Sequence, residues 1–237
     1  MSADFDVFSR DAAADARAFR LQHDFRMLLD AMARPGEMVE LAAPSSGQSS
    51  EAASVGLAPS TLSLCDVLLD AGTSVAAGGA RGEQVARALG LRTHAAVAPV
   101  QSAAFCVIPL DVRAADVRET VASLSPGTLV SPHLGATCVV ECSTLLGHDR
   151  SGRVSGAVSG SRASACWRLS GPGISDTSRF QSDRVEVVEQ RIARADEFPC
   201  GIDLVFVDAA GHVVCLPRST SVEYCEDLLE EVPQWDM

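Results

Sequence analysis

The chain has 237 residues, 47% hydrophobic and 21% charged, with a formal net charge of −12. That length and composition describe a globular chain able to bury a core, while the acidic balance excludes a nucleic-acid partner, which needs a basic face. All 19 basic residues are Arg; without Lys neither a P-loop nor the Schiff base of a pyridoxal phosphate enzyme can be built. No apolar run is long enough for a membrane span. The start, Met1-Ser-Ala-Asp-Phe-Asp6, lacks the apolar region of a secretory signal. Eight cysteines in such a chain read as reduced thiols in a cytoplasmic protein.

In chain order, residues 11–34 predict one amphipathic helix, with Phe25, Leu28, Leu29 and Met32 on its inner face. Pro35-Gly36 ends it, and Met38–Leu41 alternates as a short strand. Residues 42–59, rich in Ser, Ala, Gly and Pro, read as a surface loop. Ser60 or Thr61 is the expected cap of a helix to Leu69, with Leu64, Val67 and Leu68 facing inward. Thr73–Ala77 predicts a strand. Gly78-Gly79-Ala80-Arg81-Gly82 then opens a helix ending near Leu89-Gly90. This turn fits neither the dinucleotide fingerprint nor the P-loop, so it reads first as an ordinary turn.

Ala103–Ile108 predicts a buried strand, and Ala114–Leu124 a helix with Val117, Val121 and Leu124 inward. Turns follow at 125–128 and 132–135, then a strand over Ala136–Leu146. Residues 147–163 read as an exposed insertion, Cys166–Leu169 as a strand and Val185–Ala195 as a helix. Ile202–Val207 and Val213–Leu216 form a hairpin about Asp208-Ala-Ala-Gly211. Residues 226–237 are an acidic tail. Alternating strands and helices predict a single α/β domain over 1–237, a layered mixed sheet flanked by helices.

Two charges disturb the hairpin. Asp203 lies inside the first apolar run, where an unpaired carboxylate would be costly. Arg218 follows the second strand behind Pro217 and reaches the same end of the sheet. The pair either fixes the fold or orients a guanidinium for an anion. Elsewhere chemistry is excluded rather than indicated. There is no Cys-x-x-Cys, and Cys138-x-x-x-Cys142 has Leu145 where a third iron–sulfur ligand would fall. The five histidines lack metal-ligand spacing, and no Gly-x-Ser-x-Gly elbow appears. No cofactor is therefore expected.

Four segments in register carry a resemblance across residues 15–225. They are Phe25-Arg26-x-Leu28-Leu29-x-Ala31-Met32-x-x-Pro35-Gly36; Gly127-Thr128 with Pro132 and Gly135-Ala136-Thr137; Leu169-x-Gly171-x-Gly173-Ile174; and Phe198-Pro199-x-Gly201-Ile202-Asp203-Leu204 with Leu216-Pro217-Arg218-x-Thr220 and Val222-Glu223. Together they resemble the PhnH family, a subunit of the carbon–phosphorus lyase core complex. Cys200 departs from the aliphatic residue usual there, and 147–163 is longer than expected.

The resemblance implies a fold similar to the large domain of pyridoxal phosphate-dependent transferases, without the cofactor. It implies a homodimer that assembles with PhnG, PhnI and PhnJ. In that system a phosphonate displaces adenine from ATP to give ribose 1-phosphonate 5-triphosphate, the reaction of an alpha-D-ribose 1-methylphosphonate 5-triphosphate synthase. Radical cleavage belongs to PhnJ. For this chain the resemblance leaves two expectations. It contributes an alkylphosphonate or ATP site, with Arg26, Asp203, Arg218, Thr128 and Thr137 as candidates; or it is a purely structural subunit.

Overall fold

The fold is seen in a computed structural model that describes residues 3–44 and 46–227, with side chains over 15–44 and 47–227. Its helices are α1 (Ala3–Ala33), α2 (Ser46–Val55), α3 (Pro59–Leu68), α4 (Gly82–Thr93), α5 (Ala114–Ser123) and α6 (Val185–Arg194). A central seven-stranded sheet contains β1 (Val39–Glu40), β2 (Ser74–Ala77), β3 (Ala96–Val97), β4 (Phe105–Ile108), β5 (Thr137–Cys142), β10 (Asp203–Asp208) and β11 (His212–Leu216). Its order is β1-β11-β10-β5-β4-β2-β3. The five strands from β10 to β3 are parallel, while β11 runs antiparallel to both β10 and β1.

Parallel strands covered on both faces read as continuous apolar runs, and side-chain alternation divides them between two cores. Cys106, Ile108, Cys138, Val140, Leu204 and Phe206 face one side. Val107, Val139, Val205 and Val207 face the other, against α1, α2, α3 and α4. Burying each such side chain fully contributes roughly 1.5–3 kcal/mol. The first core is closed by α5, α6 and a second sheet formed by β6 (Thr144–His148), β7 (Val154–Val158), β8 (Ala165–Ser170), β9 (Ser178–Ser182) and β12 (Ser221–Cys225). This sheet, ordered β12-β8-β9-β6-β7, is antiparallel throughout and turns Leu145, Trp167, Leu169 and Phe180 inward.

The chain leaves one sheet for the other at Ser143. There the Asp183 carboxylate accepts the Ser143 amide at 3.1 Å, its hydroxyl at 2.6 Å and the Thr144 amide at 3.0 Å. One carboxylate thus satisfies the backbone that neither ladder can pair at the corner.

Several expectations need correction. Residues 42–59 are not a loop throughout: α2 runs through them, with Gln48 and Ala52 buried. The inner face of α1 is Asp24, Leu28 and Ala31, while Phe25 and Leu29 are exposed. Asp24 is buried because it accepts the Ala42 amide at 2.8 Å. Ala58, not Ser60 or Thr61, occupies the cap position of α3; the Ser60 hydroxyl instead donates to the Asp208 carbonyl at 2.6 Å. The strand expected over 136–146 is two strands in different sheets, and 147–163 contains β7, paired to β6. The acidic tail from residue 228 onward lies outside the described residues.

Candidate functional site

The hairpin positions the first candidate site. Asp203 begins β10 opposite Thr137, which begins β5, so both lie at the amino end of the parallel strands. Because β11 is antiparallel, its carboxyl end returns there and delivers Arg218. The Arg218 amide donates to Asp203 Oδ1 at 2.7 Å. Its Nε lies 3.2 and 3.1 Å from the two Asp203 oxygens, and Nη2 lies 2.5 Å from Oδ2. Nη2 also donates to the Gly135 carbonyl at 3.3 Å, and Nη1 donates to the Pro132 carbonyl. The guanidinium thereby straps the 126–135 loop to the hairpin. A Cβ at Gly135 would collide with that guanidinium and with the Gly201 carbonyl, so glycine is needed there.

The other expected residues do not converge equally. Thr137 is half-buried beside Asp203 across the β5–β10 pairing. Thr128 is exposed on the strapped loop, and its hydroxyl accepts the Ser131 amide at 3.0 Å, closing a turn. Arg26 is exposed on α1, and no hydrogen bond joins it to the Asp203–Arg218 pair.

A cavity of about 300 Å³ lies beside Arg218, between α6 and the hairpin, lined in part by Arg191, Asp196, Cys200 and Thr220. Its arginines are engaged with the protein. Arg191 donates to the Pro217 and Thr220 carbonyls at 2.9 and 2.8 Å. Burial pulls the Arg191 pKa below the ordinary guanidinium value, opposed by Asp203 and Asp196. Arg194, just behind, donates to the Val121, Ala122 and Leu124 carbonyls at 2.7, 2.9 and 2.8 Å, satisfying the carboxyl end of α5.

The carboxyl end of the parallel strands holds groups that sequence reasoning missed. The Glu141 carboxylate, buried at the end of β5, accepts the Ala58 amide at 2.6 Å and the Leu110 amide at 2.8 Å. Arg184, the largest fully buried side chain, donates to the Glu141 and Pro109 carbonyls, both at 2.7 Å, and to the Val112 carbonyl at 3.3 Å. Ligands of open α/β sheets bind at this end, where strand order reverses; here β2 separates β3 from β4. A cavity of about 340 Å³ opens there, lined by the Gly78-Gly79 turn, Arg113, Asp116, Glu119 and Thr120. Arg113 pairs with Asp116 at 3.0 Å, so the cation that lines it is already matched by a carboxylate.

Among the described residues no group of His, Cys, Asp and Glu is placed to hold a metal ion, and no helix is long and apolar enough to cross a membrane. The profile of the family described as bacterial phosphonate metabolism protein (PhnH) matches residues 12–223. No curated protein matches the chain.

Proposed function

Because the chain belongs to the PhnH family, we propose that within phosphonate metabolism it acts as an assembly subunit of the carbon–phosphorus lyase system. In this reading it is required for the step in which a phosphonate displaces adenine from ATP, but supplies surfaces rather than reacting groups. The observation that carries the reading is the commitment of Arg218. Its Nε, Nη1 and Nη2 all donate within the protein, to Asp203, Pro132 and Gly135. Bidentate capture of a phosphonate would have to break that strap.

The surface supports the same view. The segment that carries the family resemblance turns Phe25 and Leu29 outward from α1. Leu129, Val130 and Leu134 are exposed on the loop that Arg218 straps, and Phe198 is exposed in the segment just before β10. Exposed apolar groups of this kind suit burial against other chains. The proposed assembly is a homodimer that docks with PhnG, PhnI and PhnJ. The proposed ancestry is the large-domain fold of pyridoxal phosphate-dependent transferases, run without that cofactor since no lysine is present to hold it.

Adenine release from ATP and methylphosphonate tests the proposal, measured with the chain alone, with its partner subunits, and with the partners alone. Release is expected only when chain and partners are combined. Release by the chain alone would make it an enzyme in its own right. An Arg218→Ala chain that assembles normally yet releases no adenine would restore the ligand-site reading.

A further inference from the structure

Eight cysteines are free thiols, and most are sealed in the core. Burial pushes the Cys65, Cys142 and Cys215 thiols well above the usual thiol range. One pair, also buried at 0% and 3% exposed, lies outside the two main cores in a small cluster with Leu146. Cys166 on β8 and Cys225 on β12 are directly opposite in the antiparallel register. Opposed residues in such a ladder have Cα atoms about 4.5–5.5 Å apart, inside the roughly 4.4–6.8 Å span of a disulfide. Their thiols lie near enough to shift each other's pKa. Both lie on the face of the second sheet turned away from the central sheet, since Trp167 and Leu169 alternate with Cys166 and pack inward. β12 is an edge strand, and edges open more readily than cores.

We propose that Cys166 and Cys225 are a modification site, a dithiol that low-molecular-weight disulfides such as oxidised glutathione convert into a reversible bond stapling β12 to β8.

The two thiols have unequal chemistry. The Asp227 amide donates to the Cys225 sulfur and Arg179 hydrogen-bonds it, which together lower its pKa. Burial and the neighbouring Cys225 raise Cys166 to about 11. Cys225 is therefore the attacking thiolate and Cys166 the resolving thiol. Cys225 attacks one sulfur of the small disulfide, forming a mixed disulfide and expelling one glutathione thiolate, which takes up a proton. Cys166 then gives its proton to solvent base and attacks the Cys225 sulfur, expelling the second thiolate. Two protein thiols are oxidised and one glutathione disulfide is reduced to two thiols.

Cys106 and Cys138 provide an internal contrast. They too are opposed, across β4 and β5, and in contact. They lie wholly within the core between the sheets, and the contact with Cys106, together with burial, holds Cys138 well above the usual thiol value. Opposition alone is common to both pairs; proximity to an opening edge and a stabilised thiolate belong to the first.

The experiment treats the full chain with oxidised glutathione, with half-buried Cys200 replaced by Ser in every arm. Intact mass should fall by two hydrogen atoms and return on reduction. Peptide mapping under non-reducing conditions should join the Cys166 and Cys225 peptides. The staple closes the chain from 166 to 225 and should raise the melting midpoint by roughly 5 °C. Cys166→Ser should stop at the mixed disulfide, carrying one glutathione on Cys225, while Cys225→Ser should carry neither adduct nor staple. An unchanged mass, a Cys106–Cys138 bond instead, or a Cys166→Ser chain without adduct would overturn the proposal. Should Cys166→Ser fail to fold, the map of the Cys200→Ser chain decides alone.

Discussion

The two ends of the central sheet solve the same problem differently. At the amino end Asp203 and Arg218 meet directly, and the guanidinium spends its remaining donors on the Pro132 and Gly135 carbonyls. At the carboxyl end Glu141 and Arg184 are close but their charged groups do not pair. The carboxylate takes two amides, while the guanidinium takes carbonyls, among them that of Glu141 itself, and lies 3.5 Å from the Glu186 carboxylate. In both places the irregular backbone leaving a sheet is satisfied by a side chain, which water cannot do once the site is buried. A carboxylate and an arginine at a sheet end are therefore weak evidence of a binding site unless some donor is left unspent.

The comparison can be broken most severely at Arg184. Arg184→Ala would orphan three buried carbonyls and leave a large cavity, and we expect a loss of about 4 kcal/mol in urea unfolding. A loss below about 1 kcal/mol would show that the carboxyl end does not depend on it. Arg218→Ala removes one partner of a mostly buried pair and should cost about 3 kcal/mol, with the 126–135 loop gaining protease sensitivity. Equal or greater loss at Arg218 would invert the ranking of the two ends.

The smallest effect sharpens the contrast through pH. His212 follows the turn at the carboxyl end of β10, and its Nδ1 lies 2.7 Å from Asp208 Oδ2. That hydrogen bond, with Asp208 and Glu40 nearby, raises its pKa above the ordinary 6.5 against the opposing effect of burial. A raised value means the folded state holds the proton more tightly, so the stabilisation is complete below pH 6.5 and fades as pH rises through the folded value. The amount is under about 1 kcal/mol because the pair is partly solvated. His212→Gln should flatten this slope, while Arg218→Ala should leave it unchanged.

What the sequence made legible follows from local contrast. Asp203 stood out because it interrupts an apolar run, and the hairpin because Asp208–Gly211 separates two such runs. Helix α5 was readable from Val117, Val121 and Leu124 at one spacing. Arg184 carried no such mark: it is one of 19 arginines, and only its tertiary setting distinguishes it. Glu141 escaped notice although it too sits among apolar residues, since the partners that justify it are amides 83 and 31 residues away. Strand β9, Ser-Arg-Phe-Gln-Ser, lacks β-branched residues and was missed. α2 was hidden by its Ser and Gly content, and the break at Ser143 by the absence of Gly or Pro. On α1 the apolar spacing of Phe25 and Leu29 was genuine but faces outward. An outward apolar face, such as one proposed to meet another chain, can carry the same period as a core.

The corner at Ser143 carries a consequence for how the molecule opens. Its amide and that of Thr144 end on Asp183, a residue between β9 and α6, so they belong to neither ladder alone. Hydrogen exchange at these two amides requires the chain to let go where both sheets meet. They should therefore exchange as slowly as the central amides of β5 and β9, and serve as reporters of whole-molecule unfolding.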